Sequence, residues 1–169
     1  MSKSSTIADV SKTEFYRQLA QQLEALLAGE TDAIANAANT AALLYHTMPD
    51  LNWAGFYFLR EGELVLGPFQ GRPACVRIAA GQGVCGAAAV RRQPVLVEDV
   101  EAFPGHIACD SASRSELVVP LLSGDEILGV LDLDSPHIAR FDAEDQAGIE
   151  CVAALYIAAS DGPFGKFDQ

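Results

Sequence analysis

The chain has 169 residues, half of them hydrophobic, and a formal net charge of −12. The length is about one domain's worth, and the apolar fraction is enough for a sizeable core. So acidic a surface repels phosphate backbones and anionic lipid heads, so neither nucleic-acid nor membrane partners are expected.

Ser11-Lys12-Thr13-Glu14 has the form of a capping box, and Phe15, Leu19, Leu23 and Leu26 follow at helical spacing. Gly29 ends that helix. Thr31 is the expected cap of a second, Ala-rich helix whose face is Ile34, Ala37, Ala41, Leu44 and Tyr45, closed by Pro49. From Trp53 the pattern changes. Residues 53–59 and 63–69 read as strands joined by the turn Arg60-Glu61-Gly62. A short strand over 76–80, a helix over 84–92 and a strand over 94–97 follow. Residues 99–115 form a loop long enough to suggest function. Residues 116–122 and 127–134 make a hairpin around Ser123-Gly124-Asp125-Glu126, and Asp142 caps a last helix to about Ala159. Residues 1–10 and 161–169 are expected to be loose termini of a single domain. The order predicts an α+β fold around a mainly antiparallel sheet.

No apolar run approaches the ~20 residues needed to span a bilayer, and Met1 to Val10 lacks the apolar block of a secretory signal. A cytoplasmic location follows as the expectation. Four cysteines in a reducing compartment are thiols or a redox pair more often than permanent staples.

Cys109 sits in a polar, Ser-rich loop, with His106 three residues before it and Asp110 beside it. Structural cysteines prefer apolar neighbours, whereas reactive ones need access and a route to the thiolate. Cys75 and Cys85 also fall in or beside loops or a helix start. Cys85 begins the short helix, where the dipole lowers a thiol pKa. Each alone could be a small hydrophobe filling a gap; the trio together favours thiol chemistry. Cys151 lies with Ala147, Leu155 and Ala158 on one face of the last helix and reads as core. Zinc is disfavoured, because structural sites use closely spaced cysteine pairs. Here nine and twenty-three residues separate the three cysteines.

Asp132 and Asp134 share a face of a strand that otherwise reads as interior. Carboxylates there are costly unless paired or used. Glu116 begins the partner strand. A two-residue turn at Gly124-Asp125 pairs it with Leu133, on the opposite face from the aspartates. A three-residue loop with a bulge brings it opposite Asp134 or Asp132. A functional carboxylate cluster needs the second register; in the first, the aspartates simply emerge into water. If clustered, the three cannot all ionise cheaply, and one is protonated near neutrality.

Gly81-Gln82-Gly83-Val84-Cys85-Gly86 matches the dinucleotide fingerprint, but its helix is short and the neighbouring strands suggest hairpins rather than βαβ units. A tight turn into a helix whose first amides can hold a carboxylate is the milder reading. Trp53 reads as core, and as a pocket wall only if the acidic cluster is near.

The run from Gly105 to Glu116, together with Trp53-x-Gly55-Phe56-Tyr57, Gly81 to Gly86 and Leu131 to Ser135, resembles the free methionine-(R)-sulfoxide reductases, which are single GAF-domain enzymes. The resemblance covers about residues 12–160 and is specific, since ordinary sensory GAF domains lack the cysteine trio. It implies a GAF fold, with N- and C-terminal helices on one face of a central antiparallel sheet and the pocket on the other. It implies that Cys109 is the nucleophile, Cys75 the main resolving cysteine and Cys85 an auxiliary thiol. It implies a substrate cage of Trp53, Tyr57, Glu116, Asp132 and Asp134, a thioredoxin-type reductant, no metal or organic cofactor, and a homodimer. The alternative from another class is a sensory GAF module that binds a small molecule or reports redox state without turnover. Such modules usually sit beside an output domain, which is not expected in 169 residues.

Overall fold

The structure, a computed structural model, describes residues 10–107 and 109–161. Apart from Val10 and Asp161, the termini expected to be loose lie outside the described residues. In chain order the elements are α1 (Lys12–Leu27), α2 (Ala33–Thr47), β1 (Trp53–Arg60), β2 (Glu63–Gly71), β3 (Arg77–Ala79), α3 (Gly83–Arg91), β4 (Val95–Val97), β5 (Ser115–Ser123), β6 (Glu126–Ser135) and α4 (Ala143–Ala159), with one 3-10 turn at Val100–Ala102. The strands form a single antiparallel sheet in the order β3-β2-β1-β6-β5-β4. No described helix is long and apolar enough to cross a membrane.

The period of two along the central strands builds two cores. Ala54, Phe56 and Phe58 of β1 join Leu117, Val119 and Leu121 of β5 and Leu131 and Leu133 of β6 under α1, α2 and α4. Trp53, Tyr57, Val118 and Val130 point the other way, toward α3. The pocket side is therefore the α3 side, and three helices support the sheet from behind, as the resemblance implies.

Helix ends follow local chemistry. The Ser11 hydroxyl accepts from the Glu14 backbone N–H, while the Glu14 carboxylate is taken by Arg17 and Gln18. Asp142 and Asp145 make the reciprocal capping box at α4. The cap of α2 is Asp32 rather than Thr31: Asp32 Oδ1 accepts from Ala35 N at 2.8 Å, and the Thr31 carbonyl accepts from Asp161 N. On α2 the buried face includes Asn36 and Thr40, whose polar groups bond to nearby carbonyls, and Ile34 is exposed.

Two expected helix faces are turned by about one residue. On α1 the buried set is Tyr16, Leu19, Leu23 and Leu27, and Leu26 is exposed. Gly148 of α4 makes room for the Tyr16 ring, and the Tyr16 hydroxyl donates to the buried Asp145 carboxylate at 2.7 Å. On α4 the buried residues are Asp145, Gly148, Ile149, Val152, Ala153 and Tyr156, so Cys151 faces solvent instead of the core. Tyr156 fixes that rotation by packing on Phe56 and donating to the Ala33 carbonyl.

Candidate active site

The hairpin of β5 and β6 decides the site. Its turn has two residues, with Ser123 opposite Glu126 and Leu122 opposite Ile127. That register alone would place Glu116 on the wrong face. A bulge then intervenes: Leu121 pairs with Gly129, so Leu128 is the extra residue and Glu116 lies opposite Asp134. Leu128 drops into the helix-side core, and the alternation of β6 changes phase behind it. Gly129 is required there, because a Cβ would run into the Tyr57 carbonyl oxygen across the strand pair. Glu116, Asp132 and Asp134 thus share the pocket face, reached by a bulge and not by a longer loop.

β1 supplies the wall. Trp53 sits opposite Asp134, and Gly55 opposite Asp132. Gly55 leaves space for the Trp53 ring, which stacks between Phe69 (centroids 5.2 Å apart) and Tyr57 (5.9 Å). The indole N–H donates to the Arg72 carbonyl, and the Tyr57 hydroxyl donates to the Cys75 carbonyl at 2.9 Å. Trp53 is both core and pocket wall.

Cys75, on the β2–β3 connection, and Cys109, on the β4–β5 connection, are joined in a disulfide with their Cα atoms 5.6 Å apart. The Cys109 loop is tied down at both ends. Val100 N donates to the Arg114 carbonyl, and Asn52 Nδ2 donates to Asp110 and to the Ser113 hydroxyl. The disulfide borders a small cavity, part of it open to solvent, that is also lined by Trp53, Tyr57, Cys85, Glu116, Asp132 and Asp134. All eight residues expected at the site line this cavity or border it.

Cys85 differs from the sequence expectation. It sits in the first turn of α3, but it is buried, with its Sγ 3.9 Å from Glu116 Oε1. Burial, reinforced by the carboxylates of Asp132 and Glu116, pushes its thiol well above the usual range. The helix dipole does not overcome desolvation here. Gly86 lets α3 approach closely, since a Cβ would strike the Ala79 carbonyl. The strand before this turn pairs antiparallel with β2, and the strand after α3 pairs antiparallel with β5, so the βαβ setting of a dinucleotide site is absent among the described residues.

Burial holds Glu116 and Asp134 well above the ordinary carboxylate range, with the charge of Asp132 adding to both. Burial also raises Asp132, to about 6. Glu116 and Asp132 bring carboxyl oxygens within 4.8 Å of each other, so the two do not both ionise cheaply and one keeps a proton near neutrality. Asp132 Oδ1 is buried with no partner, a position that a ligand can fill. Cys85, Glu116 and Asp132 are also the one group among the described residues close enough to hold a metal ion. Their raised affinity for protons favours a proton store over a cation in that place.

Sequence reasoning used His106 only as a neighbour of Cys109. The structure places its Nε2 3.8 Å from Glu116 Oε2. Arg72, Gln82, Ile107, Asp110 and Ser113 also line the cavity. Of these only Asp110 and Ser113 carried a signal, as polar residues flanking a loop cysteine.

A six-stranded antiparallel sheet with three helices behind it and a pocket under α3 in front is the architecture of a GAF domain, and the GAF domain family matches residues 14–159. The chain belongs to that family and, within it, to the free methionine-(R)-sulfoxide reductases. It is 52% identical over 159 residues to the free methionine-R-sulfoxide reductase of Escherichia coli, covering 94% of this chain and 96% of that one. It is 41% identical over 156 residues to the enzyme of the same name from Saccharomyces cerevisiae, covering 88% of this chain and 87% of that one. The free methionine-R-sulfoxide reductase of Neisseria meningitidis, solved in complex with its substrate, superimposes with a TM-score of 0.86 at 44% identity, over 94% of this chain and 95% of that one.

Proposed function

We propose that this chain reduces free methionine (R)-sulfoxide to methionine, with Cys109 as nucleophile and the carboxyl cluster as acid. The observation that carries the reading is the Cys75–Cys109 disulfide at the border of a cavity whose floor is Glu116, Asp132 and Asp134. A sulfoxide sulfur is electrophilic, but its oxygen leaves poorly until it is protonated. The Cys109 thiolate gives an electron pair, the sulfoxide S–O bond breaks, and the oxygen passes to Cys109 with a proton from the carboxyl cluster. Cys109 is left as sulfenic acid, and the substrate leaves as a thioether. The Cys75 thiol then condenses with the sulfenic acid, releasing water and forming the disulfide.

A dithiol of the thioredoxin type restores both thiols by exchange and is itself oxidised. No metal or organic cofactor enters these steps. Trp53 and Tyr57 give the substrate methyl an apolar wall and exclude water. Asp132 Oδ1 is free to meet the sulfoxide oxygen when protonated, or the substrate ammonium when not. The names of the relatives support the restriction to the free amino acid and to the R epimer. A homodimer and a cytoplasmic location belong to the same proposal. The first is supported by the family resemblance, the second by the need of a thiol cycle for a reducing compartment.

The test is a steady-state assay with separate free R and S epimers, thioredoxin and its reductase. Turnover of the R epimer that disappears in Cys109→Ser is the expected result. Retained activity in that variant removes Cys109 as nucleophile. Binding without release of methionine leaves only a sensory module.

A further inference from the structure

We propose that His106, on the nucleophile's own loop, relays the thiol proton of Cys109 to Glu116 and so returns the proton that Glu116 spends in each turnover. The inference rests on the reading of the site given above. Glu116 and Asp132 are almost wholly buried at the floor of the cavity, and a substrate seated there covers them, so a proton given to a sulfoxide oxygen is not replaced directly from solvent during the step. The His106 side chain retains 16% exposure and reaches Glu116 Oε2 at 3.8 Å, a gap closed by a small ring rotation or one water. The other Glu116 oxygen faces Cys85, which is buried and leads nowhere.

The groups around the imidazole leave it alone in this task. Arg72, from the β2–β3 connection, lines the cavity with donors only and offers no acceptor for a proton. Asp132 and Asp134 of β6 belong to the store being refilled, and Asp110 accepts from Asn52 and Ala112. The Tyr57 hydroxyl is held by the Cys75 carbonyl. Burial lowers the affinity of His106 for a proton, so the ring is neutral at pH 7 and free to accept one.

The proton balance closes within the first half-reaction. Reduced Cys109 loses its thiol proton as it becomes the attacking thiolate. His106, three residues away and lining the same cavity, accepts it and passes it to Glu116. Glu116 gives its proton to the oxygen that ends on Cys109. The electron pair moves from Cys109 to the substrate sulfur, and no further reductant is needed for this step.

The experiment pairs rapid-quench methionine release in the first turnover with release over successive turnovers at saturating thioredoxin, on reduced wild type and on His106→Gln, from about pH 6 to pH 9, with and without added imidazole. In the first turnover wild type should release about one methionine per site. His106→Gln should keep that stoichiometry and its half-saturating substrate concentration, while its rate over successive turnovers falls about tenfold or more at pH 8. The deficit should narrow toward pH 6, where hydronium substitutes, and imidazole should restore part of the rate. His106→Asn repeats the test should the Gln variant fail to fold. A rate close to wild type at every pH overturns the proposal. So does a loss confined to substrate affinity with no rescue by imidazole. Wild type that releases no methionine would remove the parent reading itself, an outcome separable from either variant result.

Discussion

Glu116 lies directly across the β5–β6 pair from Asp134, although the two-residue turn of that hairpin sets a register in which it would face Leu133. The extra residue at Leu128 makes the difference, and the chemistry of the site depends on it. A Cβ at position 129 would meet the Tyr57 carbonyl. Gly129→Ala should therefore destabilise the chain by about 1–3 kcal/mol, as overpacking does. It should also slow methionine release by displacing Asp132 and Asp134. Urea unfolding together with single-turnover kinetics checks both, and parent-like values in the two measurements would show that the bulge is dispensable.

Cys75→Ser should release about one methionine per site and then stop, because the sulfenic acid on Cys109 has lost its partner. Cys85 is a poor substitute, being buried and holding its proton well above the usual thiol range. Thioredoxin-coupled turnover at the parent rate in this variant would move the resolving role to Cys85.

Glu116→Gln separates stability from activity. Burial raises the proton affinity of Glu116 in the folded chain, so the folded state holds more protons than the unfolded one above the ordinary glutamate value. Stability from this group is complete below that value and is lost as pH rises through the raised one. The Gln variant has no such loss. It should melt above the parent at pH 8, by about 2–4 °C for each kcal/mol regained, and the difference should shrink toward pH 5. Methionine release should fall by about 10²–10⁴-fold with the acid removed. A melting difference that is the same at both pH values contradicts the assignment of a buried protonated carboxyl.

Tyr16→Phe tests the far side of the sheet. The Tyr16 hydroxyl is the donor to Asp145 Oδ1, while Lys12, Arg140 and the Asp142 backbone serve Oδ2. Its loss leaves a buried acceptor unmet and should cost about 1–3 kcal/mol. Turnover should be unchanged, because α1 and α4 lie behind the sheet from the cavity. A large loss of kcat with unchanged melting would mean that the two faces are coupled.

Most of the fold was legible from spacing and punctuation. Asp142, Gly62 and the Gly124-Asp125 turn mark ends that the structure keeps, and alternation in β1 separates Phe56 from Trp53 and Tyr57. Helix rotation was less legible, since partners far along the chain set it: Gly148 draws Tyr16 inward, and Phe56 and Ala33 hold Tyr156. The carboxyl cluster could be stated only as a choice of registers, because a bulge leaves no trace in composition beyond one glycine. The proximity of His106 to Glu116 was hidden for a similar reason. It depends on how a seventeen-residue connection is folded back by Asn52 and Arg114, which sit just ahead of β1 and β5 and carry no periodic signal of their own.

The β2–β3 and β4–β5 connections leave opposite edges of the sheet, and the Cys75–Cys109 link joins them above β1 and β6. An open sheet is thereby belted into a ring, which in the proposed cycle exists only after the oxygen has been taken. In that cycle the spent protein is the more constrained one, and reduction unbuckles it. Proteases should nick the loop around Phe103 more slowly before reduction than after, so the redox history of a sample is written in its digestion pattern.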